Sequence, residues 1–252
     1  MGEGGVAMLR VIKGHKIWIE LDRARLEKGE VAAGNIYWGH AMQPDGLPGG
    51  GKIKGALFTP GGEKFSLPLS PEGKGLRWRW RPEREGLWAV VAENEVGVLV
   101  LTRDGLYKPG TRADYPDACE AAYYRQYAKA YFQVAPFCLV CGDLERQSDL
   151  SFLGQELEMV AAPDFYRPGR EIVLTVFYRG LPLPYAPVLA TFGGCSHPSW
   201  AYRRATDGRG RVSFPLGREG RWLFYVRHVD PERGEPGLYE HRVLDATFCL
   251  DI

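Results

Sequence analysis

Thr206 to Val226 reads T-D-G-R-G-R-V-S-F-P-L-G-R-E-G-R-W-L-F-Y-V, and this stretch decides the fold. A turn at Asp207-Gly208-Arg209-Gly210 leads into a short alternating run. A second turn, Gly217 to Gly220, leads into an apolar run anchored by Trp222. The pattern predicts two strands joined by a tight connection. The phrase has an earlier echo. Thr59 with Ser66-Leu67-Pro68-Leu69 matches Thr206 with Ser213-Phe214-Pro215-Leu216, and Arg84-Glu85-Gly86-Leu87-Trp88 matches Arg218-Glu219-Gly220-Arg221-Trp222. An insertion around Gly73 to Arg81 separates the two parts of the first copy. A repeat at domain length means two related domains rather than a solenoid, whose units run roughly 20–50 residues.

Length agrees with the repeat, since 252 residues suffice for two domains of ordinary size. A hydrophobic content of 45% supports two packed cores and excludes a disordered chain. With 32 glycines and 18 prolines, many short strands and tight turns are expected rather than helices. The net charge of +1 supplies no field for nucleic acid or an anionic membrane. The densest basic run, Arg77-Trp78-Arg79-Trp80-Arg81, reads as a strand with one solvated face and one Trp-lined face. No run approaches the roughly 20 apolar residues of a membrane span. Met1 to Gly14 lack the apolar core of a signal peptide, so the chain as written is expected in the cytoplasm. Five cysteines, Cys119, Cys138, Cys141, Cys195 and Cys249, do not read as a disulfide framework.

Along the chain, His15 to Leu21 alternates apolar with polar and reads as the first strand, and Val31 to His40 as the second. Further strand-like runs recur with turn signals every 8–12 residues or so, the rhythm of an immunoglobulin-like β-sandwich. The expected organisation is all-β, with two tandem immunoglobulin-like sandwiches over residues 14–104 and 154–252 and a short helical or irregular connector over 105–153. Within the connector, Asp117 to Phe132 fits a helix. Asp117 can cap it, and Cys119, Ala122, Tyr123, Tyr127, Ala130 and Tyr131 recur near i+3 and i+4. Its tyrosines also fit a strand from Ala128 to Val134.

Enzymatic signatures are missing. There is no G-x-S-x-G pattern and no nucleophile-elbow setting. Gly46 to Ile53 resembles a phosphate-binding loop, but Ile53 stands where Ser or Thr should hold Mg²⁺ and no helix follows, so no nucleotide is expected. Metal ligands are the better chemistry. His15 opens one strand and His40 closes the next. Adjacent antiparallel strands put those ends on one edge, within reach of one ion, and Asp45 follows in the loop. The same residues also read as two edge histidines without a metal. A second constellation is Cys138-x-x-Cys141 with Cys195-x-His197, a set fit for structural zinc, for free thiols or for a local disulfide.

These residues resemble a bacterial and archaeal domain family of unknown function found beside ECF-type nickel and cobalt transporters. Its motifs appear as His15 with Trp18, Gly29-Glu30, Trp38-Gly39-His40 with Pro44-Asp45-Gly46, and Tyr127-Ala128-Lys129-Ala130. In the second half they appear as Gly154 to Glu158, Gly180 to Leu183, Thr206 to Gly210 and Gly220 to Trp222. The resemblance implies a nickel or cobalt ion at His15 and His40, a membrane-embedded transporter component as partner, and a periplasmic or extracellular location. The rival expectation is a structural or adhesive immunoglobulin-like module without metal.

Overall fold

A computed structural model describes residues 15–47, 52–134, 152–161, 166–195 and 200–252. The first half holds β1 (Lys16–Leu21), β2 (Arg25–Leu26), β3 (Ala32–His40), β4 (Gln43–Pro44), β5 (Lys52–Phe58), β6 (Lys64–Leu67), β7 (Ser70–Glu72), β8 (Gly75–Trp80), β9 (Gly86–Leu101), β10 (Tyr107–Pro109) and β11 (Glu120–Val134). The second holds β12 (Leu157–Ala161), β13 (Arg170–Tyr178), β14 (Leu181–Pro182), β15 (Pro187–Phe192), β16 (Tyr202–Ala205), β17 (Arg211–Leu216), β18 (Arg221–Asp230) and β19 (His241–Asp251). No helix occurs among the described residues, hence none long and apolar enough to cross a membrane.

The strands form two tandem immunoglobulin-like sandwiches that share their middle layer. One small sheet runs β1-β3-β8-β7, another runs β12-β13-β14 with β17 on β13, and between them lies the long sheet β16-β15-β18-β19-β11-β9-β5-β6. Each half uses the same plan, so β1, β3, β8, β5, β9 and β11 correspond to β12, β13, β17, β15, β18 and β19. The last strands of the two halves pair with each other in parallel, from Ala122 opposite His241 to Ala130 opposite Cys249. The small sheets cover opposite faces of the long one. Ala128, Ala130, Phe132, Leu223 and Cys249 pack with Ile17, Trp18 and Trp78 of the first small sheet. Their neighbours Tyr127, Trp222, Phe224, Ala246 and Phe248 pack with Ile172, Leu174 and Phe214 of the second. Parallel neighbours covered on opposite faces are what a half-turn about an axis along the strands produces.

Two expectations need correction. Asp117 to Phe132 is not a helix, because Glu120–Val134 is the strand β11. It is buried on both faces over Tyr127–Ala130, so alternate positions meet different cores and all are apolar or paired. A strand of that kind loses its two-residue period. The second concerns the repeated phrase. β17 and β18 lie in different sheets, so their connection is an arch across the sandwich rather than a hairpin. The same arch joins β8 to β9. At each, a buried Trp closes the turn with an indole N–H to a carbonyl four residues back: Trp88 to Arg84 at 2.9 Å and Trp222 to Arg218 at 3.1 Å. This is why Arg-Glu-Gly-x-Trp recurs. The Ser-x-Pro-Leu echo has no such basis, since β6 sits in the long sheet and β17 in a small one.

Lys129 of β11 meets Glu158 of β12 in an ion pair buried at 1% and 0% exposure. Glu158 also accepts N–H bonds from Leu153, Gly154 and Gln155 at 2.8, 3.1 and 3.1 Å. Removing one partner strands the other charge away from water. Glu158→Ala is therefore expected to cost about 3–5 kcal/mol, and Lys129→Met with Glu158→Leu together much less. Urea unfolding followed by Trp fluorescence measures both, with the two sandwiches melting in one transition because they share a sheet.

Candidate metal centre

β1 and β3 are antiparallel neighbours, with Lys16 opposite Gly39. Continuing that register by one residue places His15 across from His40. The two rings lie 3.9 Å apart, centroid to centroid. The chain then reverses through Ala41 and Met42, whose φ angles are 40° and 68°. Both are in the left-handed region that two-residue hairpins demand and that Asn-Gly normally supplies. For Ala and Met the strain is on the order of 1–3 kcal/mol each. Its result is that β4 folds back on β3 and Asp45 donates its backbone N–H to Trp38 O at 3.0 Å. Gly39 is required here by close approach, since a Cβ would lie 2.1 Å from Gln43 O.

The Asp45 carboxylate then reaches both imidazoles. Its Oδ2 is 2.9 Å from His15 Nε2 and 2.8 Å from His40 Nδ1. One ligand atom from each of the three residues lies within 4.8 Å of the others. His15 is buried at 1% exposure beneath Trp38, whose ring stacks on it at 3.9 Å, whereas His40 and Asp45 face solvent in part. Both His15 nitrogens are buried without a hydrogen-bond partner among the described residues, so the contact with Asp45 is one of proximity rather than an aligned bond. Burial pulls the His15 imidazolium down to about 4, the nearby His40 adds to this, and Asp45 opposes it. At neutral pH His15 is thus the neutral ring that a metal requires. Two imidazole nitrogens and one carboxylate oxygen fit a first-row divalent ion and leave coordination positions open.

Of the second constellation, Cys138, Cys141 and His197 lie outside the described residues, and Cys195 is half-buried and forms no disulfide among the described residues. The remaining histidines serve elsewhere. His241 pairs with Glu120 at 2.9 Å. The His228 ring lies tilted against Tyr178, centroids 4.3 Å apart, in an open cleft of about 800 Å³ also lined by Asp230 and Arg242. That cleft is the second sandwich's counterpart of the His15–His40 corner, because Tyr178 precedes the Arg179-Gly180 turn as His40 precedes Ala41-Met42. Two contributors to the corner escaped the sequence. Trp38 was visible in the Trp-Gly-His phrase, but its ring contact was not. Gln126, which donates to His15 O at 2.7 Å, sat unremarked within the supposed helix.

The His15 environment sets a pH dependence. Below about pH 6.5 the unfolded chain protonates this ring, while the folded chain refuses the proton until about pH 4. Stability therefore falls as pH drops through that window. Replacing His15 by Gln is expected to flatten this limb, read by urea unfolding with a chelator at about pH 5 and pH 7.

Several solved structures match the chain at low identity. A DUF4785 family protein from Legionella pneumophila is 12% identical with a TM-score of 0.30, covering 83% of this chain and 50% of that one. Salmonella alpha-2-macroglobulin reacted with methylamine is 14% identical with a TM-score of 0.29, covering 94% and 15%. The D0–D1 domain of intimin is 10% identical with a TM-score of 0.23, covering 94% and 98%. The chain thus spans half of the Legionella protein and a small part of the macroglobulin. No curated protein matches it. Residues 12–230 match the model of the domain of unknown function DUF4198, and the chain belongs to that family.

Proposed function

We propose that this protein is a non-enzymatic binder of a transition-metal ion, nickel or cobalt, that captures the ion at His15, His40 and Asp45. The observation that carries the reading is the convergence of three ligand atoms within 4.8 Å, one of them on a buried His15 ring whose nitrogens make no aligned hydrogen bond among the described residues. Buried polar atoms without partners are rare and need a reason. A bound cation supplies one, since imidazole nitrogen is a ligand for nickel, copper, zinc and iron. Three protein ligands leave positions open for a second ligand set, which suits uptake and release better than a closed four-ligand cage. A membrane-embedded transporter component that accepts the ion, on the outer side of the membrane, completes the proposal.

Calorimetric titration with Ni²⁺ and Co²⁺ tests it, with Cu²⁺ as the strong-binding reference that any such site favours. Wild type is expected to bind, while His15→Ala, His40→Ala and Asp45→Ala each lose at least about tenfold, or roughly 1.4 kcal/mol. Ion binding beside Trp38 is also expected to quench its fluorescence. Equally negligible heats for wild type and variants would leave the other reading, a structural or adhesive immunoglobulin-like module in which Asp45 merely bridges two histidines.

A further inference from the structure

We infer that Gln126, backed by Asn94, is a positioning residue for the His15–His40–Asp45 site, an inference that rests on the metal reading above. His15 stands one residue ahead of β1, where the ladder to β3 begins with Lys16 opposite Gly39. Its backbone is held instead by a side chain from the long sheet. Gln126 Nε2 donates to His15 O at 2.7 Å, and Asn94 Nδ2 donates to Gln126 Oε1 at 2.9 Å. The two amides face each other across the β9–β11 ladder, both buried.

The second sandwich provides an internal comparison. Aligning the arches on Trp88 and Trp222 sets Asn94 against His228, since each lies equally far along its strand. The cross-strand partners then set Gln126 against Leu244. The β12 register, with Leu157 opposite Tyr178, sets His15 against Leu157. Leu244 is fully buried in an apolar core, so the fold does not need an amide at the position Gln126 holds, and Leu157 there needs no donor to orient it. A buried amide costs about 1–3 kcal/mol wherever a bond goes unmade, and Asn94 Oδ1 is buried with no partner among the described residues. The relay is present in the sandwich that carries the histidine cluster, and its purpose follows from what it holds. Fixing the His15 carbonyl fixes the direction of its Cα–Cβ bond. That direction sets the ring between Trp38 and Asp45 before any ion arrives.

Groups that orient a ligand from behind typically change metal affinity by 10–100-fold. Gln126→Met keeps the volume and removes the donor. It is expected to weaken Ni²⁺ binding by roughly that factor and to alter the visible absorption of the Co²⁺-loaded protein, with the circular dichroism of the apoprotein unchanged. Asn94→Ala, which frees Gln126 but leaves its bond to His15, is expected to weaken binding by a smaller factor, and it carries the test if Gln126→Met does not fold. Wild-type affinity and an unaltered Co²⁺ spectrum in the folded variants would overturn the positioning role while leaving the metal site standing. A wild type that binds neither Ni²⁺ nor Co²⁺ overturns both.

Discussion

The parallel pairing of β11 with β19 is the constraint on which the other features depend. It joins the two sandwiches through one long sheet and gives each small sheet a different face to cover. Strands at the join must then be apolar on both sides, or polar only where a partner is supplied. Lys129 has Glu158, Asp245 has Arg227 at 2.8 and 2.9 Å, and Gln126 has Asn94 and the His15 carbonyl. Each of these groups would be costly unpaired in so dry a layer. The same join ties β1 to the second sandwich, through Thr247 to Ile17 O at 2.8 Å and Arg221 to Leu21 O at 2.6 Å. The strand that presents His15 is therefore held from both halves of the molecule.

The histidine corner shows how short-range and long-range effects combine. Antiparallel register alone brings the ends of β1 and β3 level, so the meeting of His15 and His40 follows from two strands of suitable length. Asp45 is different. It reaches the rings only because Ala41 and Met42 accept left-handed backbone that neither favours. Met42 packs against the first core, which is one source of compensation for that strain. The corner's twin in the second sandwich keeps the same kind of turn but fills it with Arg179 and Gly180, and there Tyr178 and His228 line an open cleft. One duplicated scaffold thus carries two chemically distinct corners.

Much of this was legible from residue order, and the failures have a common cause. A small-sheet strand covered on one face alternates, as in β3, where the strand expected over Val31 to His40 is found. β11 resisted because two-faced burial erases the alternation, and its tyrosines and alanines happen to recur at helical spacing. The arches at Trp88 and Trp222 were read as hairpins because a turn four or five residues long joins strands of one sheet or of two equally well. What distinguishes them is the indole bond across the turn, which depends on the Trp being buried between sheets.

By itself the sequence determined the all-β class, the duplication and the edge on which His15 and His40 stand. These rest on local chemistry: glycine-rich turns, side-chain alternation and the parity of an antiparallel pair. Tertiary structure decided that the two sandwiches share a sheet, that Asp45 closes over the imidazoles, and that Gln126 holds His15 from a strand 111 residues away in the chain. Those outcomes depend on which surfaces meet across the core. No local pattern encodes that, because the free energy of burial belongs to pairs of faces rather than to either strand alone.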